Sequence, residues 1–215
     1  MALPIIISGL SGHGKSYSIK GFADEPENAA VIAAEKSRLP FKSNIRVARV
    51  PESFPDARTM AQVHRKKYEW IMQVIATARC KNVIIDDSQY LLINEMFDRA
   101  QESGYQKYLD MAKNFRDLVH FVNALPEEDK IVFFLHHAEY DMDGRAKAKT
   151  VGKMLDEKLV LEGCFDIHLY CKDQHFYTQS AGMSTAKTPE GMFDEIEIPN
   201  NLKIVADATR EYYGL

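Results

Sequence analysis

The hydrophobic pattern changes its period along the chain. Residues 4–8 (PIIIS), 29–34 (AAVIAA), 45–49 (IRVAR), 82–86 (NVIID), 131–136 (IVFFLH) and 166–170 (DIHLY) are β-branched or apolar runs of strand length. Most carry apolar side chains at consecutive positions, which predicts strands covered on both faces, as in a parallel sheet between helices. Between them, residues 56–78 place apolar side chains at Met60, Val63, Tyr68, Ile71, Val74 and Ile75. Residues 105–122 do the same at Leu109, Met111, Ala112, Phe115, Leu118, Val119 and Val122. Spacings of three and four predict a helix over each. Strand and helix in alternation predict an α/β sandwich with right-handed crossovers and a ligand site at the carboxyl ends of its strands. Beyond residue 172 the pattern shifts: 175–179 and 193–198 predict short strands, a hairpin region ahead of a final helix near 206–213. No repeat and no Pro/Gly/Ser-rich linker interrupts the chain, so residues 1–215 are expected to form a single domain, with a core over 1–172 and a C-terminal hairpin and helix over 173–215.

Composition narrows the function without naming it. With 46% hydrophobic and 27% charged residues among 215, the chain is expected to fold as an ordinary domain. Thirty-one acidic against 27 basic side chains give a formal charge of −4, so any contact with nucleic acid must come from a local patch. Three cysteines, with no CxxC pair, predict reduced thiols in a cytoplasmic protein. No apolar run approaches the ~18 residues that span a bilayer, and the opening segment turns into a glycine loop before a signal-peptide core could be completed. Neither a membrane segment nor an export signal is expected.

The strongest chemical signal is residues 9–16, GLSGHGKS, which match GxxxxGK[ST] directly after an apolar strand and before a helix predicted over 15–22. Glycines let consecutive backbone N–H groups converge on phosphate oxygens, Lys15 reaches the β/γ-phosphates and the Ser16 hydroxyl can ligate Mg²⁺. The nucleotide-contacting residues expected are Ser11, Gly12, His13, Gly14, Lys15 and Ser16, with Gly9 and Tyr17 flanking them. The strand 82–86 runs into Asp86 and Asp87, the acidic strand end that nucleotide hydrolases place near hydrated Mg²⁺. Alternation along a strand lets only one of the two face the metal, the other capping the turn, and sequence does not say which. Glu35, at another strand end, is a candidate for orienting the attacking water, and a surface ion pair is the competing reading. His136 and His137, ending IVFFLH, could touch a γ-phosphate and report its loss, or be hydrogen-bonded structural histidines.

With the glycine loop, AAEK (33–36), IIDDSQYLL (84–92) and FFLHH (133–137) in this order, the chain resembles the RecA-like P-loop ATPases, and more closely the small bacteriophage ATPases associated with single-strand annealing and recombination. That resemblance implies a three-layer sandwich with a mostly parallel central sheet, here with a short C-terminal β extension. It implies an ATP- and Mg²⁺-dependent hydrolase, stimulated by single-stranded DNA in annealing or strand exchange, in a phage-infected cell's cytoplasm. A filament or ring of identical copies and a single-strand-binding or annealing protein are the partners implied. Ala34-Glu35-Lys36 is similar to the segment bearing the catalytic glutamate, and Asp87-Ser88 to the acidic-strand Asp-Ser. His136 and His137 stand where this family has an Asn-Gln sensor pair. Residues 144–153, with Arg145, Lys147, Lys149 and Lys153 and no acid, look like a mobile basic loop that could follow a DNA backbone. Residues 36–49, also basic and containing Phe41, form a second, weaker patch. Lys187 is similar to lysines that reach a neighbouring subunit's nucleotide. The alternatives are a nucleotide-dependent adaptor, such as a helicase loader or packaging accessory, and a small-molecule kinase with residues 144–153 as its lid.

Overall fold

The computed structural model of the chain describes residues 1–35, 38–156 and 159–215. Among them the strands are β1 (Leu3–Gly9), β2 (Ala29–Ala33), β3 (Arg46–Arg49), β4 (Asn82–Asp86), β5 (Ile131–Tyr140), β6 (Ala146–Ala148), β7 (Ile167–Lys172), β8 (His175–Tyr177) and β9 (Glu197–Pro199). The helices are α1 (Met60–Thr77), α2 (Tyr90–Asp98), α3 (Gln106–Ala124), α4 (Lys153–Asp156) and α5 (Leu202–Tyr213). The sheet order is β3-β2-β4-β5-β1-β7-β8-β9, with β6 added to the far end of β5. From β3 to β7 neighbouring strands are parallel, and β8 and β9 close that edge as antiparallel strands.

Alternation along the strands divides the core. Ile6, Ile32, Val83, Ile85, Val132 and Phe134 pack with α1, α2 and α3 through Tyr68, Ile71, Leu92, Phe115 and Leu118. Ile5, Ile7, Val31, Ile84, Phe133 and Leu135 face the opposite way, onto Ile19, Phe22, Leu202 and Val205. A mostly parallel sheet with helices on both faces is the arrangement of a three-layer α/β sandwich, and it explains why these strands read as continuous apolar runs.

The helix boundaries have local causes. Thr59 caps α1 by accepting the Gln62 N–H (3.3 Å), and the Gln62 side-chain carbonyl returns to accept the Arg58 N–H (2.7 Å). Asn201 caps α5 by accepting the Lys203 N–H (2.9 Å), and Gly214 ends that helix in a left-handed conformation. Helix α2 and strand β6 have no counterpart among the expected elements. Residues 90–98 are too short for their periodicity to stand out, and β6 lies inside the segment expected to be a mobile loop.

Candidate functional site

Parallel strands bring their carboxyl ends to one edge, so β1, β4, β5 and β7 deliver their last residues to a common place. There β1 runs into the glycine loop, where Gly12 (φ 82°) and Gly14 (φ 104°) take left-handed conformations. Gly14 has a second reason to be glycine: a Cβ would lie 2.5 Å from Asn200 Nδ2 and 2.6 Å from Gln174 Oε1. The loop continues into a seven-residue 3₁₀ segment, Ser16–Phe22, where a regular helix was expected. The Ser18 N–H is shared between the Gly14 and Lys15 carbonyls (both 3.1 Å), and the Ser18 hydroxyl also donates to the Lys15 carbonyl, which tightens the turn.

Lys15 is almost completely buried, its Nζ donating to the Gly9 carbonyl (2.9 Å) and the Leu10 carbonyl (3.0 Å). Burial lowers its pKa, and nearby anionic groups oppose that shift. Among these, the Cys171 thiol is itself pushed up to about 12 by burial and stays protonated, so Asp87 and Asp86 carry the compensation. The Ser16 hydroxyl donates to Asp86 Oδ1 at 2.8 Å. Asp86 is buried at the end of β4, and burial, reinforced by the neighbouring Asp87 charge, raises its carboxyl to about 6.

This geometry separates the two acids. Asp86 meets the loop serine, whereas Asp87 takes a left-handed conformation (φ 58°) and turns its Oδ1 to within 3.3 Å of His137 Nε2. The resemblance pointed to Asp87-Ser88 as the acidic-strand pair, but the carboxylate in contact with Ser16 is one residue earlier. A cleft of about 590 Å³ opens above the loop, with Asp87, His137, Tyr90, Tyr17 and Gln174 on its walls. His13 is absent from those walls: its Nδ1 accepts the Asp173 N–H (3.1 Å) on the other side of the loop.

The two histidines ending the apolar part of β5 divide their work. His137 lines the cleft, while His136 is fully buried. His136 Nε2–H donates to the Lys149 carbonyl (2.7 Å), which can only accept, and this leaves Nδ1 to accept the Ser88 hydroxyl (2.9 Å). Burial holds His136 neutral, with a pKa lowered to about 3. A second link of the same kind starts at Ser8, just before the loop. The Ser8 hydroxyl donates to His168 Nε2 (2.7 Å), and His168 Nδ1–H donates to the Thr185 carbonyl (2.9 Å). His168 was not among the expected site residues, and a lone histidine inside DIHLY gives no sign of such a partner.

The two links end on segments that pair with each other. Strand β6 lies antiparallel to β5, and on its other side the Ala146 N–H donates to the Met183 carbonyl (2.8 Å) while Ala146 accepts the Thr185 N–H (2.9 Å). Within 144–153, where a mobile loop was expected, residues 146–148 are thus a strand hairpinned onto residues 138–140. Acids from flanking positions also neutralise the segment: Arg145 pairs with Asp141 (3.2 Å) and Asp143 (3.0 Å), and Lys147 with Glu139 (3.3 Å) and Asp156 (3.0 Å). Lys149 is half-buried and in no ion pair among the described residues. Lys153 contributes only backbone to the described structure, at the start of α4. By contrast Arg38, Lys42, Arg46 and Arg49 of the patch read as weaker are exposed and in no ion pair among the described residues, while Lys36 lies outside them.

Glu35 lines a neighbouring cavity of about 570 Å³, whose wall includes the buried His64, paired with the exposed Asp98 (2.8 Å), and Tyr90, which also lines the cleft above the loop. Asn94 Nδ2 donates to Glu35 Oε2 at 3.3 Å. Lys187 is exposed, its backbone paired with that of His168 in both directions (2.8 Å). Cys80, Cys164 and Cys171 are free thiols. Among the described residues no helix is long and apolar enough to cross a membrane.

Fold and site define a mixed α/β protein whose glycine loop, buried lysine and serine–aspartate pair share one sheet edge. No protein-family model matches this chain, and no curated protein matches it.

Proposed function

We propose that the chain is a RecA-like P-loop ATPase that binds ATP with Mg²⁺ in the cleft above the glycine loop and hydrolyses it, with single-stranded DNA as its effector. The observation that carries the nucleotide reading is the Ser16–Asp86 hydrogen bond beside Lys15. A hydroxyl and a carboxylate oxygen held together suit a hard divalent cation. Among the described residues no group of three or more His, Cys, Asp or Glu side chains is arranged for a metal, so Mg²⁺ would draw the rest of its shell from water and phosphate oxygens. When bound, Mg²⁺ would neutralise charge on the phosphate oxygens.

Mechanistically, the loop amides and Lys15 would hold the phosphates and Ser16 and Asp86 the cation, so the reaction is helped by positioning and charge compensation. Sheet order supports the resemblance: β5, carrying the histidines in the family's sensor position, lies between the loop strand β1 and the acidic strand β4. His137 would face the terminal phosphate, and His136 and Ser88 would pass its loss to Lys149. Glu35 remains the proposed water-orienting base. The test is ATP turnover with and without single-stranded DNA at low and high salt. DNA-stimulated turnover that weakens as salt rises is the expected result. Phosphate passed to a small acceptor would instead identify a kinase, and nucleotide-dependent capture of a protein without DNA stimulation an adaptor.

The exposed cations in no ion pair among the described residues guide a sharper expectation. Reversing Arg38 and Lys42 to Glu should lower single-stranded DNA affinity by at least about 10-fold at 0.1 M salt and flatten its salt dependence. Arg145→Ala, already compensated by two aspartates, should change it by less than about 3-fold. Fluorescence anisotropy with a labelled oligonucleotide decides between them. Lys187 is proposed to act on a neighbouring copy's nucleotide. Mixing Lys187→Ala with Glu35→Gln should then restore part of the hydrolysis that each lacks alone, and an assembled mixture without turnover would remove the shared-site idea.

A further inference from the structure

Glu35, the carboxylate proposed to orient the attacking water, does not line the cleft above the glycine loop. Its backbone is not the reason. Strand β2 ends at Ala33, and the Ala34 N–H still donates to the Asp86 carbonyl (3.1 Å), so Glu35 leaves the sheet one residue beyond a bond to the acid that meets Ser16. Its side chain lies instead in the neighbouring cavity, where Asn94 Nδ2 donates to Glu35 Oε2 (3.3 Å). Because a carboxylate only accepts, the NH₂ end of Asn94 must face it.

Asn94 belongs to a helix that is fastened at both ends. At the start of α2 the Tyr90 N–H donates to the Asp87 carbonyl (2.9 Å) and the Leu91 N–H to the Ser88 carbonyl (3.2 Å). At its end Asp98 accepts His64 Nε2–H from α1 (2.8 Å), and the adjoining buried Arg99 pairs with Glu95 (2.7 Å) and with Asp110 of α3 (2.8 Å). Asn94, midway between, is therefore a fixed post, and when the pair separates it is Glu35 that moves. Tyr90, Asn94 and Asp98 recur every four residues and all face the cavity. Tyr90 also stands in the wall of the cleft, its ring edge-on to His137 with centroids 5.8 Å apart and planes at 78°. It is thus shared by the place where Glu35 is held and the place where Glu35 would act.

We infer that Asn94 is a positioning residue that holds Glu35 outside the cleft and so limits hydrolysis in the protein without DNA, a reading that rests on the nucleotide site and the water-orienting role proposed above. A half-exposed hydrogen bond to a carboxylate biases a side chain between two positions by roughly 5- to 10-fold, which restrains it without locking it. Had Asn94 steadied Glu35 for the reaction, the pair would sit in the cleft. The two roles have opposite signs: removing a steadying donor lowers turnover, whereas removing a restraining one raises it.

Steady-state ATP turnover without DNA, for wild type, Asn94→Ala, Asn94→Asp, Glu35→Gln and the Asn94→Ala/Glu35→Gln double variant, tests this. Asn94→Asp keeps the shape of the side chain but loses the donor and adds a charge that repels Glu35. Both Asn94 variants should raise kcat by at least about 5-fold and leave KM for ATP within about 2-fold. Adding Asn94→Ala to Glu35→Gln should change turnover by less than about 2-fold, since the gain must pass through Glu35. Unchanged or lower kcat in the Asn94 variants overturns the inference, and a loss in Glu35→Gln beside it still upholds the role of Glu35. A gain in Asn94→Ala alone reports lost packing rather than a lost donor, and a gain that persists in the double variant bypasses Glu35; either overturns it too. Glu35→Gln with wild-type turnover removes both the inference and the proposed base. Absence of turnover in wild type and every variant, with or without single-stranded DNA, removes the proposed function as well.

Discussion

Replacing Lys15 by Ala is expected to weaken Mg²⁺-ATP binding by roughly 100- to 1000-fold, about 3–4 kcal/mol, with the fold retained. The ammonium group sits in a buried pocket at the root of the loop, held by the Gly9 and Leu10 carbonyls. Moving it from those neutral acceptors to phosphate oxygens exchanges neutral acceptors for charged ones, and among the described residues no other lysine or arginine lines the cleft to substitute. Stability should change less than affinity, because two effects oppose each other. The variant removes a buried charge whose desolvation is unfavourable, as its lowered pKa records, and it also leaves two loop carbonyls without their donor. Isothermal titration with ATP and Mg²⁺, beside a thermal melt of the same variant, separates the two. Unchanged affinity in a folded variant would end the nucleotide reading.

How far the chain could be read in advance depends on how local the cause of each feature is. The central strands were legible because they are buried on both faces: 82–86 coincides with β4, and 29–34 overruns β2 by one residue. The glycine loop was legible because its conformation depends on residue types within eight positions. The 3₁₀ segment after it was not, since the Ser18 hydroxyl's hold on the Lys15 carbonyl leaves no trace in periodicity. Asp86 and Asp87 could not be told apart by alternation, because the strand ends between them and Asp87 turns left-handed. His168, Asn200 and Gln174 reach the loop from 155 or more positions along the chain, by β7 lying next to β1 and by the turn beyond it and the residue before the α5 cap. The ion pairing of residues 144–153 was hidden for a related reason. Counting inside the segment finds no acid, but a hairpin brings Glu139 opposite Lys147, and α4 supplies Asp156.

Asp86→Asn separates stability from metal use most sharply. In the ligand-free protein Asp86 carries a pKa of about 6 against a usual 3.8, so the folded state binds its proton more tightly than the unfolded chain does. The sign follows: this carboxyl favours folding below pH 4, and that contribution is lost as pH rises through 6. At pH 7, with metal removed by chelator, Asp86→Asn should therefore be more stable than wild type by about 1–3 kcal/mol. Acidification brings a second effect of opposite direction. His64, His136 and His168 have pKa values lowered to about 4, 3 and 4 by burial, so folding loses stability as pH falls from 6.5 toward 4 and these rings must charge. Wild type recovers part of that loss as Asp86 takes up its proton. Asp86→Asn has no such recovery, so its advantage should shrink steadily from pH 7 and vanish near pH 4. Magnesium reverses the order at neutral pH: a neutral amide gives a cation far less than a carboxylate, so the variant should lose at least about 30-fold in Mg²⁺-dependent ATP affinity, or about 2 kcal/mol. Urea titrations of both proteins at pH 7 and pH 4.5, with chelator and then with Mg²⁺-ATP, read both effects. A variant that is less stable than wild type without metal at pH 7, and equally stabilised by Mg²⁺-ATP, would show that Asp86 serves the fold alone.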